Sequence, residues 1–304
     1  MALVECVPNF SDGQHADVIA ALVAAVKSTP ADLLDVSSDP DHNRTVITVS
    51  GEPEVVAEAI FRAAKVAVER IDLEQHQGVH PRMGAVDVIP FVPLRELSLE
   101  ACAALARAFG QRVGDELGIP VYLYEAAATR PERVNLADVR RGGYEFLKTA
   151  ITTPERTPDF GPARIGSAGA VAIGARGPLI AFNAYLNTHD VTIAQEIALA
   201  IRQSGGGLPY LKALGLLVGG RAQVSMNVID FRQTSLFTIM EALRAEAAKY
   251  GVAVTRTELV GLIPQNALID AALAALQLDP QVRERILEQR LGAASGDFRE
   301  VKFE

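Results

Sequence analysis

Apolar positions along this chain recur with two periods, and the switches between them mark out its elements. Leu3 to Val7 is a short apolar run, closed by the turn-forming series Pro8-Asn9-Phe10-Ser11-Asp12-Gly13. From Ala16 to Lys27 apolar residues crowd at helical spacing until Thr29-Pro30 ends the pattern. Leu33 to Val36 reads as a strand, Ser37 to Asn43 as a polar loop, and Arg44 to Val49 as a second strand. The pattern predicts a helix over Pro53 to Ile71, with proline in its first turn and an alanine-rich interior. A loop holding His76 and His80 leads to a strand over Val86 to Val92, a helix from Ser98 to Gly114 and a strand over Val121 to Tyr124. The first six elements thus run β-α-β-β-α-β, the split βαβ order of ferredoxin-like domains, with one helix and one strand added.

Thr129 to Pro162 is rich in Arg, Pro and Gly, has only short apolar patches and reads as an irregular arm. Beyond it, Gly161 to Ala170 is too glycine-rich for a helix or a central strand and reads as a loop with exposed backbone. Strands are expected over Val171 to Ile173 and Leu179 to Leu186, then a helix from Asp190 to Ser204. Leu211 to Val218 and Ala222 to Phe231 flank Gly219-Gly220-Arg221 as a hairpin, and Thr234 or Ser235 caps a helix that Gly251 ends. A strand over Val252 to Leu262 and helical segments over Asn266 to Leu276 and Pro280 to Gln289 complete the chain. The β-α-β-β-α-β order returns. The expectation is an α+β protein of two ferredoxin-like α/β-sandwich subdomains, 1–160 and 161–304, with a ligand cleft between them.

Composition narrows the function. With 304 residues and 49% hydrophobic content the chain can bury a substantial core. Its longest apolar stretches fall short of the roughly 20 residues of a membrane span, and the N-terminus lacks the pattern of a signal peptide, so a cytoplasmic protein that does not engage a membrane is expected. A net charge of -8 without a basic run argues against nucleic-acid binding. Cys6 and Cys102, far apart in apolar surroundings, suit buried thiols.

Four loops beside strands hold the residues that could do chemistry: Pro8 to Gly13, Ser37 to Arg44, His76 to Gly84 and Asp159 to Gly169. His80 precedes Pro81, which favours extended backbone, and Gly84 permits a tight bend before the next strand. The second loop offers Asp39, Asp41, His42, Asn43 and Arg44, but no regular ligand spacing accompanies them, and no metal is expected. Neither Gly166-x-x-Gly169 nor Gly174-x-x-Gly177 completes a dinucleotide fingerprint.

Seven ordered segments carry a family resemblance. Leu3-Val4-Glu5-Cys6-Val7-Pro8-Asn9-Phe10-Ser11, Asn43-Arg44-Thr45, His80-Pro81-Arg82-Met83-Gly84-Ala85, Ala108-Phe109-Gly110, Pro120-Val121-Tyr122-Leu123-Tyr124, Pro158-Asp159-Phe160-Gly161-Pro162 and Ile180-Ala181-Phe182-Asn183 together resemble the glutamate formimidoyltransferase family, from Leu3 to about Leu291. The resemblance implies two ferredoxin-like α/β subdomains. It also implies transfer of the formimidoyl group of N-formimidoylglutamate to nitrogen 5 of tetrahydrofolate, a co-substrate, in histidine breakdown.

It further implies that His80 is the catalytic histidine, and the chemistry agrees. One nitrogen loses a proton while another gains one, and imidazole exists in both proton states near neutrality. Folate binding maps onto Gly161, Pro162, Ala163, Arg164, Ile165, Gly166, Ser167, Ala168, Gly169 and Ala170; fused relatives carry an aromatic there where this chain has Ala168, so stacking is not expected. Arg44, Arg82 and Arg164 are candidates for substrate carboxylates. Asn9, Asn183 and Asn227 are candidates for the cleft, and Asp39 or Asp41 for negative charge near the cationic amidine. The resemblance also implies a homodimer acting on small molecules, with a folate that can be polyglutamylated. With a chain ending at Glu304 and no cyclodeaminase domain following, release of formimidoyl-tetrahydrofolate is expected. Two alternatives stay open: a related enzyme taking N-formylglutamate, and a non-catalytic folate-binding module.

Overall fold

A computed structural model describes residues 1–295. The chain opens with β1 (Leu3–Cys6) and β2 (Asn9–Phe10), which lie in one line between two neighbours and are parted at Pro8, a residue with no N–H to give a ladder. There follow α1 (Ala16–Lys27), β3 (Asp32–Asp39), β4 (Arg44–Gly51), α2 (Pro53–Arg70), β5 (Val86–Arg95), α3 (Leu99–Leu117) and β6 (Val121–Glu125). Pro53 opens α2, and Gly118, left-handed at φ 65°, closes α3. β3 runs on through Ser37, Ser38 and Asp39, which the sequence pattern assigns to a loop. These polar residues pair with β4 at the open edge of the sheet, where no second neighbour demands an apolar face.

The Thr129–Pro162 arm is more ordered than its composition predicts. α4 (Leu136–Val139) and α5 (Gly143–Ala150) are too short to show a helical period, and Gly142 and Gly143, both at positive φ, separate them. Val139 and Leu147 pack with Met83, Val88, Tyr122 and Tyr124, so the arm covers part of the sheet opposite the three long helices. Asp159 ties it down by accepting the N–H of Leu123 at 2.8 Å and pairing with buried Arg133.

After the arm, β7 (Val171–Ala175) enters the first sheet rather than starting the second. It lies between β5 and β6, parallel to both, and gives the order β3-β4-β1/β2-β5-β7-β6. All five of its residues are buried, as a central parallel strand covered on both faces requires. The expected division at 160/161 would cut this strand from its sheet; the sheets instead divide between Ala175 and Ile180.

The remainder comprises β8 (Ile180–Leu186), α6 (Val191–Ile201), β9 (Leu211–Val218), β10 (Arg221–Val228), α7 (Leu236–Lys249), β11 (Val254–Val260), α8 (Gln265–Ala275) and α9 (Leu287–Ser295). Its four strands are antiparallel in the order β11-β8-β10-β9, so β10 separates the two ends of the β8-α6-β9 connection. Gly219 and Gly220, both at positive φ, make the two-residue hairpin turn.

Each half buries its own core between sheet and helices. Val18, Leu22, Ile60, Phe91, Phe109, Val113 and the free thiols Cys6 and Cys102 belong to the first, and Ile197, Val224, Met226, Ile239 and Leu243 to the second. The sheet faces left uncovered by helices turn toward each other. No described helix is long and apolar enough to cross a membrane.

Candidate active site

A cavity of about 450 Å3 lies between the facing sheets. Glu5, Val7 and Asn9 from β1, β2 and their junction, Arg44, Val46 and Thr48 from β4, and Val88 and Pro90 from β5 form its floor. Alternation along each strand places these side chains on one face. Ala181, Asn183, Ser225 and Asn227 form the opposite wall, and Leu136 and Arg140 of the arm close one side. Four buried polar atoms on its lining residues, His42 Nε2, Thr48 Oγ1, Tyr124 OH and Arg140 Nε, have no partner among the described residues. Such atoms are costly unless a ligand or water meets them.

One end is built by two loops bound to each other. The Val79 N–H donates to Asp41 O at 3.2 Å, the Asn43 side-chain amide to Gln77 O at 2.9 Å, and His76 Nε2 to Asn43 O at 3.1 Å. His42 and His80 therefore meet edge to face, with ring centroids 5.8 Å apart. His80 Nδ1 lies 2.8 Å from Pro81 O. A carbonyl oxygen only accepts, so Nδ1 carries the ring proton and Nε2 keeps its lone pair. Burial, and then the nearby guanidinium groups of Arg44 and Arg140, hold the pKa of His80 well below that of free imidazole.

Asp87 organises those two arginines. Between Phe10 and Asn9 the register of β2 with β5 shifts by one residue, and this bulge falls at Asp87. A bulge re-aims the side chain it carries. Fully buried, Asp87 accepts from Met83 N at 2.8 Å, Arg44 at 2.8 Å and Arg140 at 2.5 Å. Burial raises the pKa of this carboxyl, but the two arginines and the Met83 N–H outweigh it and leave it lowered. For Arg44 burial prevails over Asp87, and its pKa is pushed down to about 10. Arg44 Nε also donates to Asn9 Oδ1 at 3.0 Å.

The two halves of this architecture match two family models. The formiminotransferase domain's N-terminal subdomain matches residues 3–176, and the formiminotransferase domain matches residues 181–289. The chain belongs to the formiminotransferase family. The glutamate formimidoyltransferase of Streptococcus pyogenes serotype M1 is 47% identical over 294 residues, covering 95% of this chain and 98% of that one. That of Thermoplasma acidophilum is 47% identical over 300 residues, covering 97% and 99%. The formimidoyltransferase-cyclodeaminase of Mus musculus is 44% identical over 310 residues, covering 96% of this chain and 57% of that longer one. The boundary between the two matches falls where the sheets divide.

Within this formiminotransferase fold the cavity gathers His80, Asn9, Arg44, Asn183 and Asn227 from segments far apart in sequence. Other expected site residues lie elsewhere. Arg82 pairs with Glu145 at 2.8 Å and does not line the cavity. Neither Asp39 nor Asp41 lines it: Asp39 Oδ1 accepts the N–H groups of Asp41 and His42, each at 2.8 Å, which is turn chemistry, and Asp41 is exposed. Among the described residues the ring of His76 bonds to backbone, at Asn43 O.

The Gly161–Ala170 loop runs behind the His80 loop instead of along the cavity. Ala168 O accepts from Ala85 N at 2.8 Å, Ser167 O from Leu73 N at 2.9 Å, and Ala170 N donates to Met83 O at 2.9 Å. Pro162, Arg164, Ile165 and Gly166 instead line a second hollow beside Gly118, Ile119 and Pro120. Sequence reasoning missed Asp87, Arg140, Arg176, Tyr124 and Glu5 as site residues. Strand alternation with Asn9 was an available signal for Glu5; no local pattern marks the bulge or the ordered arm. Among the described residues no group of three or more His, Cys, Asp or Glu is arranged to hold a metal ion.

Proposed function

We propose that this chain transfers the formimidoyl group of N-formimidoylglutamate to nitrogen 5 of tetrahydrofolate, with His80 moving the proton. Membership of the family and the names of its full-length relatives support the reaction. The observation that supports His80 is the 2.8 Å contact of its Nδ1 with Pro81 O on a residue that lines the cavity; because a carbonyl oxygen only accepts, this contact favours a proton on Nδ1 and a free lone pair on Nε2.

Nitrogen 5 attacks the amidinium carbon and becomes positively charged at the tetrahedral stage. His80 Nε2 removes the proton from nitrogen 5. The imidazolium so formed gives that proton to the glutamate nitrogen as its bond to carbon breaks. The positive charge stays with the transferred amidinium, and His80 ends neutral as it began. One proton leaves one nitrogen and reaches the other, so a single shuttle suffices.

Asn9, Asn183 and Asn227 have amides suited to polar substrate groups, and Arg44 and Arg140 have guanidinium edges suited to carboxylates. The buried part of the Gly161–Ala170 loop supports His80 from behind. Small-molecule substrates fit a cavity of this size. The experiment is to supply tetrahydrofolate with either formimidoylglutamate or formylglutamate and follow the folate product. Formation of 5-formimidoyl-tetrahydrofolate and glutamate in equal amounts is expected; turnover of the formyl donor alone would overturn the reading.

A further inference from the structure

The two histidine loops occupy one end of the cavity, and a separate polar group lies at the other. Glu5 on β1, Thr48 on β4, Tyr124 on β6 and Arg176 just past β7 face the same space. Tyr124 and Thr48 are each 1% exposed; the Thr48 hydroxyl has no hydrogen-bond partner among the described residues, and the Tyr124 hydroxyl has only the Arg176 guanidinium nearby, without a close hydrogen bond to it. The half-buried Glu5 carboxylate has no hydrogen bond there either; burial raises its pKa and the Arg176 guanidinium lowers it by charge alone. Unmet buried polar groups cost roughly 1–3 kcal/mol each. Two such hydroxyls beside a half-buried carboxylate mark a place for ligand atoms.

We propose that Glu5, Tyr124 and Arg176 form the subsite that reads the 2-amino-4-oxopyrimidine edge of a reduced pterin. This deepens the proposed function and rests on it. The two oxygens of a carboxylate match the adjacent N–H groups at positions 2 and 3 of that ring. The neighbouring carbonyl oxygen would accept from the Tyr124 hydroxyl, with the Arg176 guanidinium beside it. Glu5 repels the carboxylates of formimidoylglutamate and of the folate's own tail, so these belong at the Arg44 and Arg140 end.

The length agrees. From Glu5 to Asn9, which holds the Arg44 head, is ~13 Å at the rise of a strand. Two fused rings with a hydrogen bond at each end span such a distance. A pterin fixed at Glu5 would thus lie along β1 and β2 with its nitrogen 5 toward His80.

The test is equilibrium binding to the full chain without donor, comparing tetrahydrofolate with its 2-desamino analogue. Wild type should bind tetrahydrofolate roughly tenfold more tightly than the analogue, the loss of about one hydrogen bond to a charged group. In Glu5→Gln that preference should disappear, with circular dichroism unchanged. Tyr124→Phe should weaken both ligands several-fold and keep the preference, because the carbonyl it reads is common to both. An undiminished preference in Glu5→Gln, or unchanged affinities in Tyr124→Phe, would overturn the subsite alone. Absence of tetrahydrofolate binding to wild type would overturn the functional reading and the subsite together.

Discussion

His80 and Arg140 meet on a single acceptor, the carbonyl oxygen of Pro81, which takes the Nδ1–H of the ring and an N–H of the guanidinium. The histidine loop and the arm are joined at the atom that fixes the tautomer of His80. The same guanidinium helps to keep the ring neutral, so its removal has a sign that can be worked out. Burial and two cations place the pKa of His80 well below 6.5, and the base form is dominant at pH 7 and well into the acid range. In Arg140→Gln one cation is gone and that pKa rises. The acid limb of kcat/KM against pH should therefore move to higher pH, by about one unit. A lowered rate with an unmoved limb would assign Arg140 a purely structural part.

Truncation of His80 addresses the proton shuttle itself. His80→Ala should lower kcat by about 10²- to 10⁴-fold, the usual contribution of a general acid–base group, while tetrahydrofolate still binds. Asp41→Asn is the contrasting change. Its carboxylate is exposed and does not line the cavity, so turnover should stay within about twofold and stability within about 0.5 kcal/mol. Steady-state rates for the two variants side by side decide the matter, and a large loss in Asp41→Asn would restore that residue to the site.

How far the site can be read from sequence depends on what placed each residue there. Asn9, Arg44 and His80 stand next to turn and strand signals, and Asn183 lies on an apolar strand, so local pattern and resemblance reach them. Asp87 reads as one polar residue in a buried strand, and only the bulge against Phe10 and Asn9 turns it to the arginines. Arg140 lies in a segment whose helices have four and eight residues, too few for a period to show. β7 illustrates the same limit at the level of the fold. Val171–Ala175 is plainly a strand from its residues, but nothing local says which sheet it joins, because that is decided by a gap left between β5 and β6. In the second half, where strands and helices follow one another without insertion, the elements from β8 to α8 are legible to within about three residues at their ends, whereas the expected segment Pro280 to Gln289 divides into a 3-10 turn and α9.

Asp87 also links the site to stability. Asp87→Asn removes the charge that Arg44 and Arg140 share and leaves two cations with poor compensation in a buried place. A loss of about 3–5 kcal/mol at pH 7 is expected. In the folded protein this carboxyl has a lowered pKa, so its stabilising contribution is complete above about pH 4 and is lost as pH falls through the folded value. Chemical denaturation from pH 7 downward should show wild-type stability declining below about pH 4 and the variant, weaker throughout, declining less steeply. Parallel curves would mean that other carboxylates dominate the acid response.

Gly84 tests whether the loop behind His80 matters for its position. A Cβ at Gly84 would lie 2.0 Å from Ala170 O and 2.9 Å from Val86 O, both of them backbone atoms that cannot swing away. At Gly166, on the same supporting loop, a Cβ would meet nothing within 4 Å. Gly84→Ala must therefore push the His80 loop off the Gly161–Ala170 loop and break the bond from Ala170 N to Met83 O. Overpacking of this kind costs about 1–3 kcal/mol or more, and displacement of a proton shuttle by about 1 Å costs on the order of 10²-fold in rate. Gly166→Ala should change stability by less than about 0.5 kcal/mol and leave turnover near wild type. Thermal unfolding and kcat measured on both variants separate the two cases: a Gly84→Ala protein with wild-type kcat would show that the loop contact fixes the fold but not the catalytic geometry.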